Sequence, residues 1–426
     1  MYWLVENKDQ LEILKNSGYK EAFIEVIPYN NNIHPTQNNV SLVYIRPINA
    51  SKGFMVCIAH SEALNELYTD KTCISELIGK FDTLYCRDKK ETLHYFPNKA
   101  LYDITPPPST YIRPTTQTHD LYYRQHGDNP QLNLIIPIVK HYEICETIFG
   151  DLKKYINSKP TKYNEFFNNK VSVVFNFIEQ SGIKIHKPTF QQHFHPIDSE
   201  FTYTQFNLKT TTTRPSNKFK NVNYAALNKQ NKSRESFIPR NNRFVEIDIS
   251  AYHPSLAARL IGYDFAGVDI HAHFASLYGV DYKKSKELTF KQLYGGVFEN
   301  YKNLEFFQNI ETYVENVWDE FQTQGYIECL ISGYRYERDK LENMNPQKLF
   351  NYILQNLETS MNVLILWDMC RILMGYNSKL VLYTYDSFLL DISDEEGEVL
   401  GKIRDLFGKY DLNIKEVSGM NYDKMG

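Results

Sequence analysis

Residues 243–260, RFVEIDISAYHPSLAARL, and 378–392, SKLVLYTYDSFLLDI, each read as a β-strand that runs into an aspartate. Apolar, β-branched and aromatic residues fill both runs, as a pleated, half-buried surface requires. Asp248 and Asp386 then stand where a core would not tolerate an unpaired carboxylate. Brought side by side, two such groups make a site for two divalent cations, an arrangement suited to phosphoryl and nucleotidyl transfer. Glu246 lies two residues before Asp248 and shares its face by strand alternation, which makes it a candidate third carboxylate. A single strand-end aspartate is more often a turn former or an ion-pair partner, so the pair carries the reading.

Between the two strands lies SKELTFKQLYGGVF, 285–298. Lys286, Phe290 and Tyr294 fall at i, i+4 and i+8, so they drift only slowly around one helix face. A lysine there can meet triphosphate charge while the rings pack against a base. Aromatic residues at helical spacing are usually core; the lysine in line with them and the Gly-Gly that follows separate this helix from that default. A second helix, PQKLFNYILQNLETSMNVLIL at 346–366, is apolar over most of its surface but carries Asn351, Gln355, Glu358 and Asn362 as one polar stripe. Buried amides need partners, and the acceptors of a DNA minor groove are suitable ones.

With 426 residues the chain can hold two or three domains, and its 42% hydrophobic and 23% charged content is ordinary for a globular protein. A net charge of -4 confines any nucleic-acid contact to local patches. One such patch is 208–243, where nine Lys and Arg residues face the single acid Glu235, a candidate phosphate-backbone track. The six cysteines form no CxxC pair, which suits a reducing compartment and argues against a zinc module. The opening MYWLVENKDQ is not a leader and no apolar run could span a bilayer, so the expected location is the cytoplasm, the host's if the protein is viral.

Residues 1 to about 105 read as a small α/β unit with helices over DQLEILKNS and EALNELY. The Pro-rich stretch ITPPPSTYIRPTT closes it, and helical spacing follows from about 130 to 190. Near the C-terminus, Ser393 and Glu396 have the spacing of a capping box.

Taken in order, these segments resemble family A DNA polymerases, in particular the phage-type enzymes, over roughly 170–426. TTTTRPSNKFKNVNY resembles a primer-template segment, implying DNA contacts for Thr212, Arg214, Ser216, Asn221 and Asn223. VEIDISAYHPSLAARL resembles motif A, DIHAHFASLYGV the run before motif B, SKELTFKQLYGG motif B, and LYTYDSFLLD motif C. FNYILQNLET resembles the family's N-x3-Q helix, implying DNA contacts for Asn351 and Gln355, and VSGMNYDKMG resembles its terminal segment. The resemblance implies a DNA-directed DNA polymerase in which Asp248 and Asp386 ligate two Mg²⁺ ions, with Mn²⁺ as an alternative. It assigns nucleotide contacts to Lys286, Phe290, Tyr294, His253 and Tyr252, and catalytic status to Lys286 beside the aspartates. Primed DNA template and dNTPs are the implied partners, together with a processivity or replisome protein; a membrane is not.

The implied fold is α+β: an antiparallel palm sheet with helical fingers, a reduced or absent thumb, and an N-terminal α/β exonuclease-like (RNase H-like) domain. The expected division is 1–125 for the exonuclease-like domain, 126–200 for a helical connector or reduced thumb, and 201–426 for palm and fingers, with fingers at about 263–345. Departures from the family pattern are specific. Motif C keeps only its central acid, as Tyr385-Asp386-Ser387, and His253 replaces the motif A glutamate that excludes a ribose 2′-hydroxyl. Glu25 is the only acid where an active exonuclease domain would carry an Asp-x-Glu, so that domain is expected to be degenerate. Two other readings compete: a ribonucleotide-using or primase-like polymerase, and a catalytically inactive nucleic-acid-binding accessory.

Overall fold

The computed structural model describes residues 2–67, 71–97, 100–105, 117–217, 222–228, 230–423 and 425 of an α+β chain. Two compact units divide it, Met1–Gln180 and Ser181–Gly426, so the division falls within the stretch 126–200 that the sequence reads as a connector.

The first unit is built on a six-stranded mixed sheet in the order Trp3–Val5, Phe54–Cys57, Val40–Pro47, Glu21–Pro28, Thr83–Cys86, Leu101–Asp103. Glu21–Pro28 pairs antiparallel with Val40–Pro47 on one side and parallel with Thr83–Cys86 on the other. Its continuous apolar run is explained by burial on both faces. Phe23 and Ile27 share one core with Ile144, Ile148 and Phe149 of the helix Ile138–Ile156, and Ala22 and Ile24 share the other with Leu11, Leu14, Leu77 and Ile78. The helix expected over 62–68 does not form as far as the chain is described. Asn65 takes a left-handed φ of 58° and accepts the His60 amide through its Oδ1, a local bond that competes with helix; the helix instead runs Lys71–Gly79.

Two buried ion pairs sit in this unit. Arg87 donates to both oxygens of Glu25, which is 6% exposed. Lys90 donates to Glu179 Oε1 at 2.6 Å and His94 Nε2 lies 2.7 Å from Oε2, all three side chains being almost fully buried.

In the second unit the main sheet is four-stranded and antiparallel, in the order Lys379–Thr384, Ser387–Ile392, Arg243–Ile249, Ile414–Gly419. Alternation along Arg243–Ile249 sends Val245, Ile247 and Ile249 to one face and Phe244, Glu246 and Asp248 to the other. Phe244 packs with Ile185, Phe190 and Phe237, and beyond it the face opens towards the two acids. Phe388, opposite Ile247, meets Phe407 of the helix Glu398–Lys409 with ring centroids 5.4 Å apart.

The abundant aromatic residues are used in packing. Tyr263 and Phe265, in the loop after the helix Tyr252–Ile261, form a continuous set of ring contacts with Phe274 of the helix Ile270–Tyr278 and Phe306 and Phe307 of the helix Glu305–Gln324. The expected capping box does not close: Gly397 is the N-cap, and the Glu396 carboxylate instead accepts the amides of Asn377 and Ser378.

Replacing Glu179 by Ala strands the Lys90 ammonium in the interior. The expected loss is about 3–5 kcal/mol of folding stability, read from urea denaturation.

Candidate active site

Asp248 and Asp386 are brought together by strand register. Asp248 lies directly opposite Ser387 on one side and Lys415 on the other. Asp386 occupies the tight turn joining Lys379–Thr384 to Ser387–Ile392, and its carbonyl accepts the Ile249 amide at 2.9 Å. The two acids therefore occupy neighbouring positions at one end of the sheet. Backbone conformation is unusual beside each: Tyr385, just before Asp386, has φ 61°, and Ala251, three residues after Asp248, has φ 46°. Both are left-handed positions that non-glycine residues rarely adopt.

Asp386 is open to water on one side, yet the protein around it raises its pKa above the usual range. Desolvation is the main cause. The Glu358 charge adds to it, while the Asp386 backbone amide, Arg214 and His253 oppose it. A cleft of about 270 Å³ lies against Asp248, lined by Arg234, Glu246, Lys415 and Tyr422 among others. Glu246, the candidate third carboxylate, lines the same cleft as Asp248. Its Oε1 accepts the hydroxyls of Ser387 at 2.8 Å and Tyr422 at 3.1 Å. Among the described residues, no three metal-ligating groups gather at this site within 4.8 Å. Two all-oxygen carboxylates, one of them solvent-open, are the donor set a hard cation takes when substrate phosphates and water complete its shell, so these residues fit Mg²⁺.

The helix Tyr282–Gly295 carries the cationic and aromatic residues. Asp281 caps it by accepting the Lys284 amide, and Gly296, at φ 95°, ends it where a side chain would be strained. Lys286 is exposed, and Phe290 stacks on Tyr294 at 5.9 Å and 15°. The Tyr294 hydroxyl meets His253 Nδ1 at 2.5 Å, so Tyr294 is the exposed surface and His253, only 6% exposed, lies beneath it. Tyr252 is buried, its hydroxyl donating to Asn362 Oδ1 at 2.9 Å.

The helix Pro346–Leu373 joins these parts. Glu358, 2% exposed, lies 3.1 Å from Arg214 Nε and 3.3 Å from His253 Nε2. The Arg214 guanidinium stacks 3.8 Å above the Tyr385 ring, beside Asp386. Asn362 donates to the Tyr385 carbonyl at 2.7 Å and the Tyr383 hydroxyl at 2.8 Å. Asn351 donates to the Tyr294 carbonyl at 3.1 Å, Asn356 donates to Thr213 Oγ1 at 2.7 Å, and Gln355 is half-buried. Much of the polar stripe thus holds the site from within. Glu358 and Lys415 are the site residues the sequence reading did not assign. An acid inside an apolar helix was the available signal for the first; nothing local marks the second.

Of the remaining residues read as DNA contacts, Thr212 is half-buried, Ser216 pairs in a two-residue strand with Asn207, and exposed Asn223 accepts the Ala226 amide. Asn221 lies outside the described residues, as do Lys218, Lys220 and Lys229. The basic stretch is a weaker phosphate track than its composition suggests. Arg234 stacks on Tyr422 at 4.5 Å, Arg240 donates to the Ser181 and Gly182 carbonyls, and Arg243 pairs with Asp394 at 3.3 Å.

The raised pKa of Asp386 has a definite sign. The folded state holds the Asp386 proton more tightly than the unfolded state, so without cation stability falls as pH rises through the folded pKa. Asp386→Asn is expected to raise the melting temperature at neutral pH in a chelator. Mg²⁺ should then stabilise the native protein but not the variant, a difference that a thermal melt with and without the ion reads directly.

Compared by sequence, the chain matches no protein-family model and no curated protein. Compared by fold, it is similar to the POL domain of Pol1 from M. smegmatis, whose structure was determined in complex with DNA primer-template and dNTP. The TM-score is 0.69 over 99% of this chain and 99% of that one, at 12% identity. The chain thus has a fold similar to that of a DNA polymerase domain. No helix among the described residues is long and apolar enough to cross a membrane.

Proposed function

We propose that this chain is a template-directed DNA polymerase of the family A type that adds dNTPs to a primer 3′-hydroxyl. The observation that carries the reading is the juxtaposition of Asp248 with Asp386 at the open end of an antiparallel sheet. The polymerase-domain fold supports it. Asp248 and Asp386 would hold two Mg²⁺ ions. When bound, these supply charge neutralisation for the triphosphate and lower the pKa of the attacking hydroxyl.

The rest falls to the chain's own side chains. Lys286, an exposed cation on the Tyr282–Gly295 helix, meets the triphosphate. The stacked Phe290 and Tyr294 rings offer a flat apolar surface to the base pair being formed. His253 fixes the Tyr294 hydroxyl and Glu358 holds His253, so the surface that faces the incoming sugar is pre-set. Arg214 and Asn362 hold Tyr385, and with it the turn that presents Asp386. In the first unit, Arg87 occupies the carboxylate of Glu25, the only acid at the expected exonuclease position. This supports an exonuclease-like unit without nuclease activity.

Primer extension on primed single-stranded DNA tests the reading, with dNTPs and rNTPs in separate arms. Incorporation of dNTPs is expected, and Asp248→Ala and Asp386→Ala should each abolish it while duplex binding persists. Unchanged incorporation by either variant would overturn the assignment, and extension with rNTPs alone would point to the ribonucleotide enzyme. Glu358→Gln leaves Arg214 and His253 without their buried anion. It should lower kcat/KM for dNTPs by roughly tenfold or more, about 1.4 kcal/mol of transition-state stabilisation.

A further inference from the structure

We infer that the first unit contains a binding site for a divalent transition cation of the zinc class, formed by His34, His94 and Glu179. The inference is independent of the polymerase reading. The three residues come from distant points of the chain: His34 from the loop before the 3₁₀ turn Pro35–Gln37, His94 from the helix Lys89–Tyr95, and Glu179 from the helix Ser172–Ser181. Their ligating atoms nevertheless all lie within 4.8 Å of one another. The His34 and His94 rings stand edge to face at 5.4 Å and 82°. Two imidazoles and a carboxylate are a recognised three-ligand set for zinc when a fourth position is left to solvent or a small ligand. A cavity of about 170 Å³, lined by His94, Thr36 and Asn38 among others, supplies room beside them.

The surrounding bonds also suit an ion. Thr36 connects both rings: its hydroxyl lies 3.0 Å from His94 Nδ1, and its amide donates to His34 Nδ1 at 3.2 Å. With His94 Nε2 turned to a cation, its Nδ1–H would donate to the Thr36 hydroxyl, the outer bond that ligating histidines use to fix their tautomer. Lys90 holds Glu179 through Oε1, so the other oxygen, shared now with His94, is the one directed to the ion. Asp88 and Glu91 both act electrostatically on Lys90, the cation that already shares Glu179. His34 is half-buried and its Nδ1 bond is long, so it is the ligand most easily replaced without harm to the core.

The test uses the full chain carrying Asp248→Asn and Asp386→Asn, which removes the carboxylates of the polymerase site. Cobalt(II) is the spectroscopic probe and zinc the competitor. The expected result is one equivalent of tightly bound ion per chain, with the visible spectrum of a tetrahedral or five-coordinate cobalt centre bleached by zinc. His34→Ala should weaken affinity with no change in the urea midpoint of the ion-free protein. Thr36→Val should cost roughly 10–100-fold in affinity through loss of the supporting bond. No bound cobalt in the doubly substituted chain would overturn the inference and establish Lys90–Glu179–His94 as a closed ion-pair network. Binding unaffected by both His34→Ala and Thr36→Val would overturn it equally.

Discussion

The amide of Ile249 donates to the carbonyl of Asp386, and on that bond the rest of the site depends. It fixes the register in which Asp248 faces Ser387 and the hairpin turn ends beside it. A slip of one residue would send Asp248 to the face of Val245 and Ile247, where no water or counter-charge meets it. The strand is paired on both edges, so such a slip would break two ladders at once. Its position also sets Lys415 opposite Asp248 across the ladder, an ammonium on the strand beside the carboxylate.

Local strain accompanies that register. Tyr385 and Ala251 adopt left-handed backbone next to each acid, at a cost of order 1–3 kcal/mol apiece. The structure supplies compensations at both places. The Tyr385 carbonyl is held by Asn362 and its ring by Arg214, so the turn cannot relax without releasing two contacts. After Ala251 the chain enters the helix Tyr252–Ile261 at once, with Tyr252 anchored on the same Asn362. One amide of the long helix thus stabilises both strained segments. This gives the buried Asn362 a structural role within the polar stripe of that helix.

Much of this was legible in the sequence. Alternation in RFVEID and the strand-turn-strand of LVLYTYDSFLL suffice to place both carboxylates, and the i, i+4, i+8 pattern places Lys286, Phe290 and Tyr294 on one helix. The destination of polar groups was not legible, because it depends on long-range contacts that local spacing does not encode. Glu246 alternates onto the correct face yet is taken by Ser387 and Tyr422, the second of which lies 176 residues away. Of the amides in the polar stripe of the long helix, Asn362 is satisfied by Tyr383 and Tyr385 and the Asn351 amide by the Tyr294 carbonyl, all from elsewhere in the chain. In the basic stretch, too, the partners of Arg234, Arg240 and Arg243 (a ring, two carbonyls and Asp394) are distant in sequence.

Glu358 lies 3.3 Å from His253 Nε2, both side chains buried. A histidine under Tyr294 can fix the hydroxyl through Nδ1, but its Nε2 then points into protein, where an unpartnered nitrogen is costly. Glu358 approaches that nitrogen at 3.3 Å, and Arg214, stacked on Tyr385, donates to the same carboxylate at 3.2 Å. The chain of contacts therefore links the aromatic surface of the Tyr282–Gly295 helix to the turn carrying Asp386. The same Glu358 charge, after desolvation, helps to raise the Asp386 pKa, so the network beneath Tyr294 also acts on the acid in the turn.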